Sequence, residues 1–92
     1  SPLSMKSFVR HRIFAAFPIT PIPSAKNAIA DTYCVEHLHA RLGGRSWDTP
    51  TVEDYRCCED GLSLLTVEGL KYYLPGYLVA ELDDPETADV IA

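Results

Sequence analysis

Residues 61–82 read GLSLLTVEGLKYYLPGYLVAEL, and the fold of the chain turns on how this stretch folds. Apolar residues fill it, tyrosines punctuate it at 72, 73 and 77, and Pro75-Gly76 divides it. It shows no sustained two-residue alternation, the mark of a half-buried strand. Thr66 followed by Glu68 is N-cap chemistry, which predicts a helix from about Val67 to Leu74. Val67, Leu70, Tyr73 and Leu74 would share its buried face. Proline has no N–H to give and glycine is a weak helix former, so Pro75-Gly76 is expected to interrupt the helix, with a further apolar turn from Tyr77 to Leu82. Neighbouring helical residues sit about 100° apart, so Tyr72 and Tyr73 do not both face one core. Tyr73 is the one expected inside.

Working outward, the preceding segment DTPTVEDYRCCEDG supplies another helix start. Thr49 before Pro50 reads as an N-cap and first-turn pair, with Glu53 and Asp54 following in the first turn. Gly61 ends or bends that helix. Residues 27–42, NAIADTYCVEHLHARL, read as the longest helix, with Ile29, Tyr33, Cys34, Leu38 and Leu42 on one stripe. Gly43-Gly44 is its stop signal. Trp47, in the loop beyond, is first of all a plug for the core. Toward the N-terminus a helix capped by Ser4 is expected to run to about Phe17, with Met5, Phe8, Val9, Ile13, Ala16 and Phe17 inward, and Pro18 stops it. The connection PITPIPSAKN is extended, because residues before prolines avoid helical geometry, and Ile19 and Ile22 would pin it to the core. Asp84-Pro85 would start a short acidic helix at the C-terminus. The expected fold is all-α: one domain over residues 1–92, a small bundle of four to six short helices. Residues 1–4, ahead of the sole methionine Met5, read as an expression scar.

Ninety-two residues build one small core that is marginal without help. The formal charge of −5 is unevenly spread: residues 1–27 carry Lys6, Arg10, Arg12 and Lys26 and no acid, whereas residues 76–92 carry Glu81, Asp83, Asp84, Glu86 and Asp89 and no Lys or Arg. The plainer consequence is that the two ends attract each other or are solvated; the sharper one is an acidic docking surface for a basic partner. An acidic total with so few clustered cations is a weak phosphate footprint, so nucleic acid is not an expected partner. No apolar run reaches the roughly 18–20 residues of a membrane-spanning helix, and the basic-then-apolar start lacks a leader's uninterrupted core and cleavage site. Cys34, Cys57 and Cys58 are an odd set with an adjacent pair, which is no disulfide framework and suits a reducing compartment. The expected location is the cytoplasm.

AAFP at 15–18, Trp47 after a glycine pair, Glu53, and above all LSLLTVEGLKYYLPGYLVAEL at 62–82 resemble a family of small uncharacterised bacterial proteins. Its members carry an LSFLTPEAFRYYLPAYL-type segment downstream of a tryptophan. The similarity spans roughly residues 13–82, with Val67 and Leu70 where that family often has proline and an aromatic. It implies a bacterial cytoplasmic protein and brings no established activity. Small acidic proteins of this kind often occur as immunity partners of toxins, an association rather than a mechanism.

Two constellations invite chemistry. Cys34, His37 and His39 form C-x-x-H-x-H, and Cys57 and Cys58 offer further sulfur ligands. Cys34 and His37 can share a helix face, but His39 points away from both, and adjacent cysteines rarely bind one ion together, so neither a metal nor any cofactor is expected. A nucleophilic thiol needs an electropositive setting, and Glu53, Asp54, Glu59 and Asp60 crowd Arg56. No catalytic residue is expected, and the chain is not expected to be an enzyme. The leading expectation is an acidic protein-interaction module, immunity- or antitoxin-like, that occludes a basic partner. Its binding residues would be Trp47, Tyr72, Tyr77, Glu81, Asp83, Asp84, Glu86 and Asp89, tyrosine and tryptophan being common interface anchors. The alternatives are a small thiol- or metal-dependent protein using Cys34, His37, Cys57 and Cys58, and a structural homodimer.

Overall fold

The computed structural model describes residues 2–83. Within them the chain forms α1 (Pro2–Ala16), α2 (Ala25–Ala28), α3 (Glu36–Arg41), α4 (Val52–Cys57), a 3₁₀ turn (Glu59–Leu64) and α5 (Val67–Asp83). The all-α expectation holds. The acidic helix expected after Asp84 lies outside the described residues.

α5 is the post on which the rest is hung: α1, α2 and α4 all pack against it. Thr66 caps it as expected, its Oγ1 accepting from Gly69 N at 3.0 Å and donating to the Asn27 carbonyl at 2.6 Å. The interruption expected at Pro75-Gly76 does not occur, and the helix runs unbroken to Asp83. Proline costs the helix one N–H bond to the Lys71 carbonyl. Tyr73 before it and Tyr77 after it are both buried in the same core, so the two halves are held in line.

The buried face of α5 is also not the leucine face. It consists of Gly69, Tyr73, Gly76, Tyr77 and Ala80, at helical spacing, together with Pro75. Val67, Leu70 and Leu74, expected inward with Tyr73, are exposed. The reason is contact distance. A Cβ at Gly69 would stand 2.0 Å from the Ala28 carbonyl oxygen, and one at Gly76 would stand 1.9 Å from the Tyr55 hydroxyl and 2.8 Å from the Trp47 carbonyl oxygen. Main chain and ring meet the helix backbone directly, and only glycine permits that approach.

The helix expected over 27–42 is two short helices instead. Ser24 caps α2, which stops after one turn because main-chain pairing takes over. Ile29 forms an isolated antiparallel bridge with Leu65, with Ala30 N donating to the Leu64 carbonyl at 2.8 Å and Thr66 N to the Ala28 carbonyl at 2.9 Å. These carbonyl and amide groups are then unavailable to a continuing helix. Cys34 adopts a left-handed φ of 62° in the loop, and the chain re-enters a helix at Glu36. Ile29, Leu38 and Leu42 are buried as expected, but Tyr33 and Cys34 are exposed.

α4 starts later than its Thr-Pro signal suggests. Thr51, not Thr49, is the N-cap, and it closes a capping box with Asp54. Thr49 instead closes a turn onto the Ser46 carbonyl. Val9 and Ile13 on α1, and Phe17 just beyond it, face the core, while Met5, Phe8 and Ala16 turn outward, with the Arg12 guanidinium over the Phe8 ring. In the proline connection, Ile19 packs on the core and Ile22 is exposed.

The close approach at Gly76 fixes the sign of a simple substitution. Helix propensity alone favours alanine over glycine by about 1 kcal/mol. The clash reverses this, and Gly76→Ala is expected to destabilise the fold by about 3 kcal/mol or more. Gly44→Ala, at a φ of 73° with open space around it, should cost only about 1–2 kcal/mol. Urea unfolding midpoints of the two variants check this order.

Candidate functional site

The aromatic residues expected to anchor a partner are mostly spent inside the molecule. Trp47 is 1% exposed; its indole N–H donates to the Pro18 carbonyl at 2.9 Å, and its ring leans on Phe14 at 4.8 Å between centroids. The plug reading of this residue is correct, and its role as a surface anchor is not supported by its placement. Tyr77 is 8% exposed and donates to the Cys58 carbonyl at 2.9 Å. Tyr72 is half-buried, donating to the Ile19 carbonyl at 2.5 Å and accepting from Trp47 N at 3.2 Å. The surface aromatic patch of Trp47, Tyr72 and Tyr77 is therefore not formed, because each ring carries a polar tip that the core uses to bind loop main chain.

Tyr73 and Tyr55 do the same. Tyr73 Oη lies 2.7 and 2.8 Å from the Leu42 and Arg45 carbonyl oxygens and shares its proton between them, and Tyr55 donates to the Trp47 carbonyl at 2.6 Å. Tyr55 and Tyr77 meet edge to face. Burial raises all four phenols above their ordinary value, Tyr73 to about 12. Burial likewise pushes the Cys58 thiol up to about 11. These groups are neutral hydrogen-bonding and packing elements.

The acidic residues divide. Asp83 is half-buried and bound by the Arg10 guanidinium from α1, so one cation of the basic N-terminal stretch pairs with one described acid of the C-terminal stretch. Being partly exposed, that pair adds at most about 1 kcal/mol to stability. Glu81 is exposed on α5. Asp84, Glu86 and Asp89 lie outside the described residues. A second charged cluster escaped the sequence reading: Arg41 at 2.7 Å and Arg45 at 3.5 Å both reach Asp54. Asp54 is held below the usual carboxylate range, first by the Thr51 main-chain N–H and then by the Arg41 guanidinium. It is a brace between α3 and α4.

The thiols do not assemble. Cys34 and Cys57 are exposed and Cys58 is buried. Among the described residues no group of three or more His, Cys, Asp or Glu side chains is placed to hold a metal ion, so Cys34, His37, Cys57 and Cys58 are not brought together as a ligand set. No described helix is long and apolar enough to cross a membrane.

Two surface features bear most directly on function. The first is a row of large apolar side chains along the outer side of α5: Val67 is 71% exposed, and Leu70, Leu74 and Leu78 are each about two-fifths exposed. Steps of three, four and four residues keep them in one line. The second is a cleft of about 270 Å³ between α1, α4 and α5, floored by Gly76 and Ala80 and opened at its rim by Arg10 and Asp83. Compared with protein-family models, curated proteins and solved structures, the chain matches none.

The phenols give a test by pH. A group whose folded pKa is raised stabilises the fold fully below its unfolded pKa and loses that contribution as pH climbs toward the folded value. Cys58 and Tyr73 are shifted to about 11 and 12, so the urea midpoint should fall steadily from about pH 9 to pH 12. In a Tyr33→Phe background, which removes the one exposed phenol among the described residues, phenolate absorbance from Tyr55, Tyr72, Tyr73 and Tyr77 should appear together with unfolding, and its appearance while the fold is intact would contradict the assigned hydrogen bonds.

Proposed function

We propose that the chain is a small protein-interaction module that binds a basic partner through the outer side of α5. The observation that carries this reading is the exposed row Val67, Leu70, Leu74 and Leu78. A core helix normally turns its largest apolar side chains inward. Here the inward side is glycine and tyrosine, and the leucines face water. A contiguous apolar row of this kind on a small domain marks a surface that another molecule covers.

Charge selects the kind of partner. From residue 66 to the end the chain carries Glu68, Glu81, Asp83, Asp84, Glu86 and Asp89 against the single cation Lys71. Glu68 and Glu81 are exposed on α5 itself, and an acidic chain with an apolar row favours a basic protein and speeds its approach. Tyr72, Tyr77 and Trp47 support the helix from behind instead of touching the partner. Occlusion of a basic toxin, as by an immunity protein or antitoxin, is the form of this function that the acidic chain favours.

The experiment compares the unaltered chain with Leu74→Glu/Leu78→Glu as bait in lysate of the source organism, at low and high salt. The expected result is one stoichiometric protein of basic composition, held by the unaltered chain, released as salt rises and lost by the double variant. Identical captured sets for the two baits would overturn the proposal. Because both leucines are already exposed, circular dichroism should show the variant folded.

A further inference from the structure

The cleft between α1, α4 and α5 is on the other side of α5 from the leucine row. Gly76 on its floor is two residues from Leu78 and Leu74, about 200° around the helix. It is thus a separate site, and its occupancy does not rest on the function proposed above. Its volume of about 270 Å³ lies just below the range of pockets that take drug-sized molecules, about 300–1,000 Å³. A space of this size suits one long side chain.

The lining gives the chemistry of that side chain. Phe14, two-fifths exposed, offers a ring wall, and Val52 and Val79 continue the apolar surface. The charged groups are Arg10, Asp48 and Asp83. Arg10 is already bound to Asp83, so the lining as a whole carries one carboxylate more than it carries cations. The cleft calls for a guest with an apolar stem and one positive charge. A guanidinium meets the demand better than an ammonium, because its planar head forks onto a carboxylate with two parallel hydrogen bonds. Arg10 shows that the rim accepts such a head on Asp83.

We propose that the cleft takes one arginine side chain from an extended segment of a partner protein, its stem against Phe14 and Val79 and its guanidinium on Asp48. Each guanidinium then has its own carboxylate, Arg10 on Asp83 and the guest on Asp48. Arginine is among the residues most enriched as interface anchors in such pockets.

The test uses the capped tripeptide Ala-Arg-Ala, with the neutral isosteric Ala-citrulline-Ala as its control, titrated at low salt against the labelled full chain and followed by methyl and aromatic NMR. The arginine peptide should give saturable shifts at Phe14, Val52 and Val79, and the citrulline peptide should bind at least tenfold more weakly. Asp48→Asn should remove the difference between the two peptides. Asp31→Asn, outside the cleft, and Leu74→Glu, on the opposite side of α5, should preserve it. Equal binding of both peptides, shifts unaffected by Asp48→Asn, or no saturable shift at all would overturn the assignment while leaving the leucine-row proposal standing.

Discussion

The organisation of this domain depends on tyrosine hydroxyls donating to main-chain carbonyls of the segments between helices. Tyr72 holds the proline connection at Ile19, Tyr73 the end of α3 at Leu42 and Arg45, Tyr77 the end of α4 at Cys58, and Tyr55 the loop at Trp47. Trp47 adds a fifth tie, to Pro18. A chain this short has several brief helices and much loop, and loop carbonyls near a core need partners. Aromatic side chains with polar tips meet both needs at once, filling volume and satisfying the carbonyl at its far side.

That arrangement explains the glycines. For tyrosines on α5 to reach loop main chain, the loops must lie close against the helix, and Gly69 and Gly76 are where they do. It also explains why the leucines face out. With the inward face committed to Gly69, Tyr73, Gly76, Tyr77 and Ala80, the row containing Leu70, Leu74 and Leu78 is rotated into solvent. The exposed row that carries the proposed function is thus a consequence of how the core is built, and the domain can present it without loosening its own packing.

Much of the architecture was legible in the sequence because it is written in local chemistry. Thr66 as a cap, the glycine stop after Leu42, the proline stop after Phe17 and Trp47 as a plug all follow from short-range rules, and all hold. The cap of α4 was misplaced by two residues although its Thr51–Asp54 box is local; the larger departures depend on contacts distant in sequence. The break after Ala28 arises from pairing with Leu65, and nothing between residues 27 and 42 announces it. The inward side of α5 was misjudged because hydrophobicity was ranked by size. The spacing of Gly69, Tyr73, Gly76, Tyr77 and Ala80 was there to be read as a second stripe, but small residues and tyrosines signal a buried face only when a close neighbour is known. The cleft was illegible for the same reason, since Arg10, Asp48 and Asp83 come together only through the packing of α1 and α4 on α5.

The central claim is that tyrosine, not leucine, holds α5 in place, and equilibrium urea unfolding of Tyr73→Phe beside Leu74→Ala tests it most directly. Tyr73→Phe removes one hydroxyl from between two carbonyls and should cost about 1–3 kcal/mol. Leu74→Ala removes a larger apolar group, but a two-fifths-exposed one, and should cost about 1 kcal/mol or less. A larger loss from the leucine change than from the tyrosine change would contradict the account, because it would place the leucine row in the core.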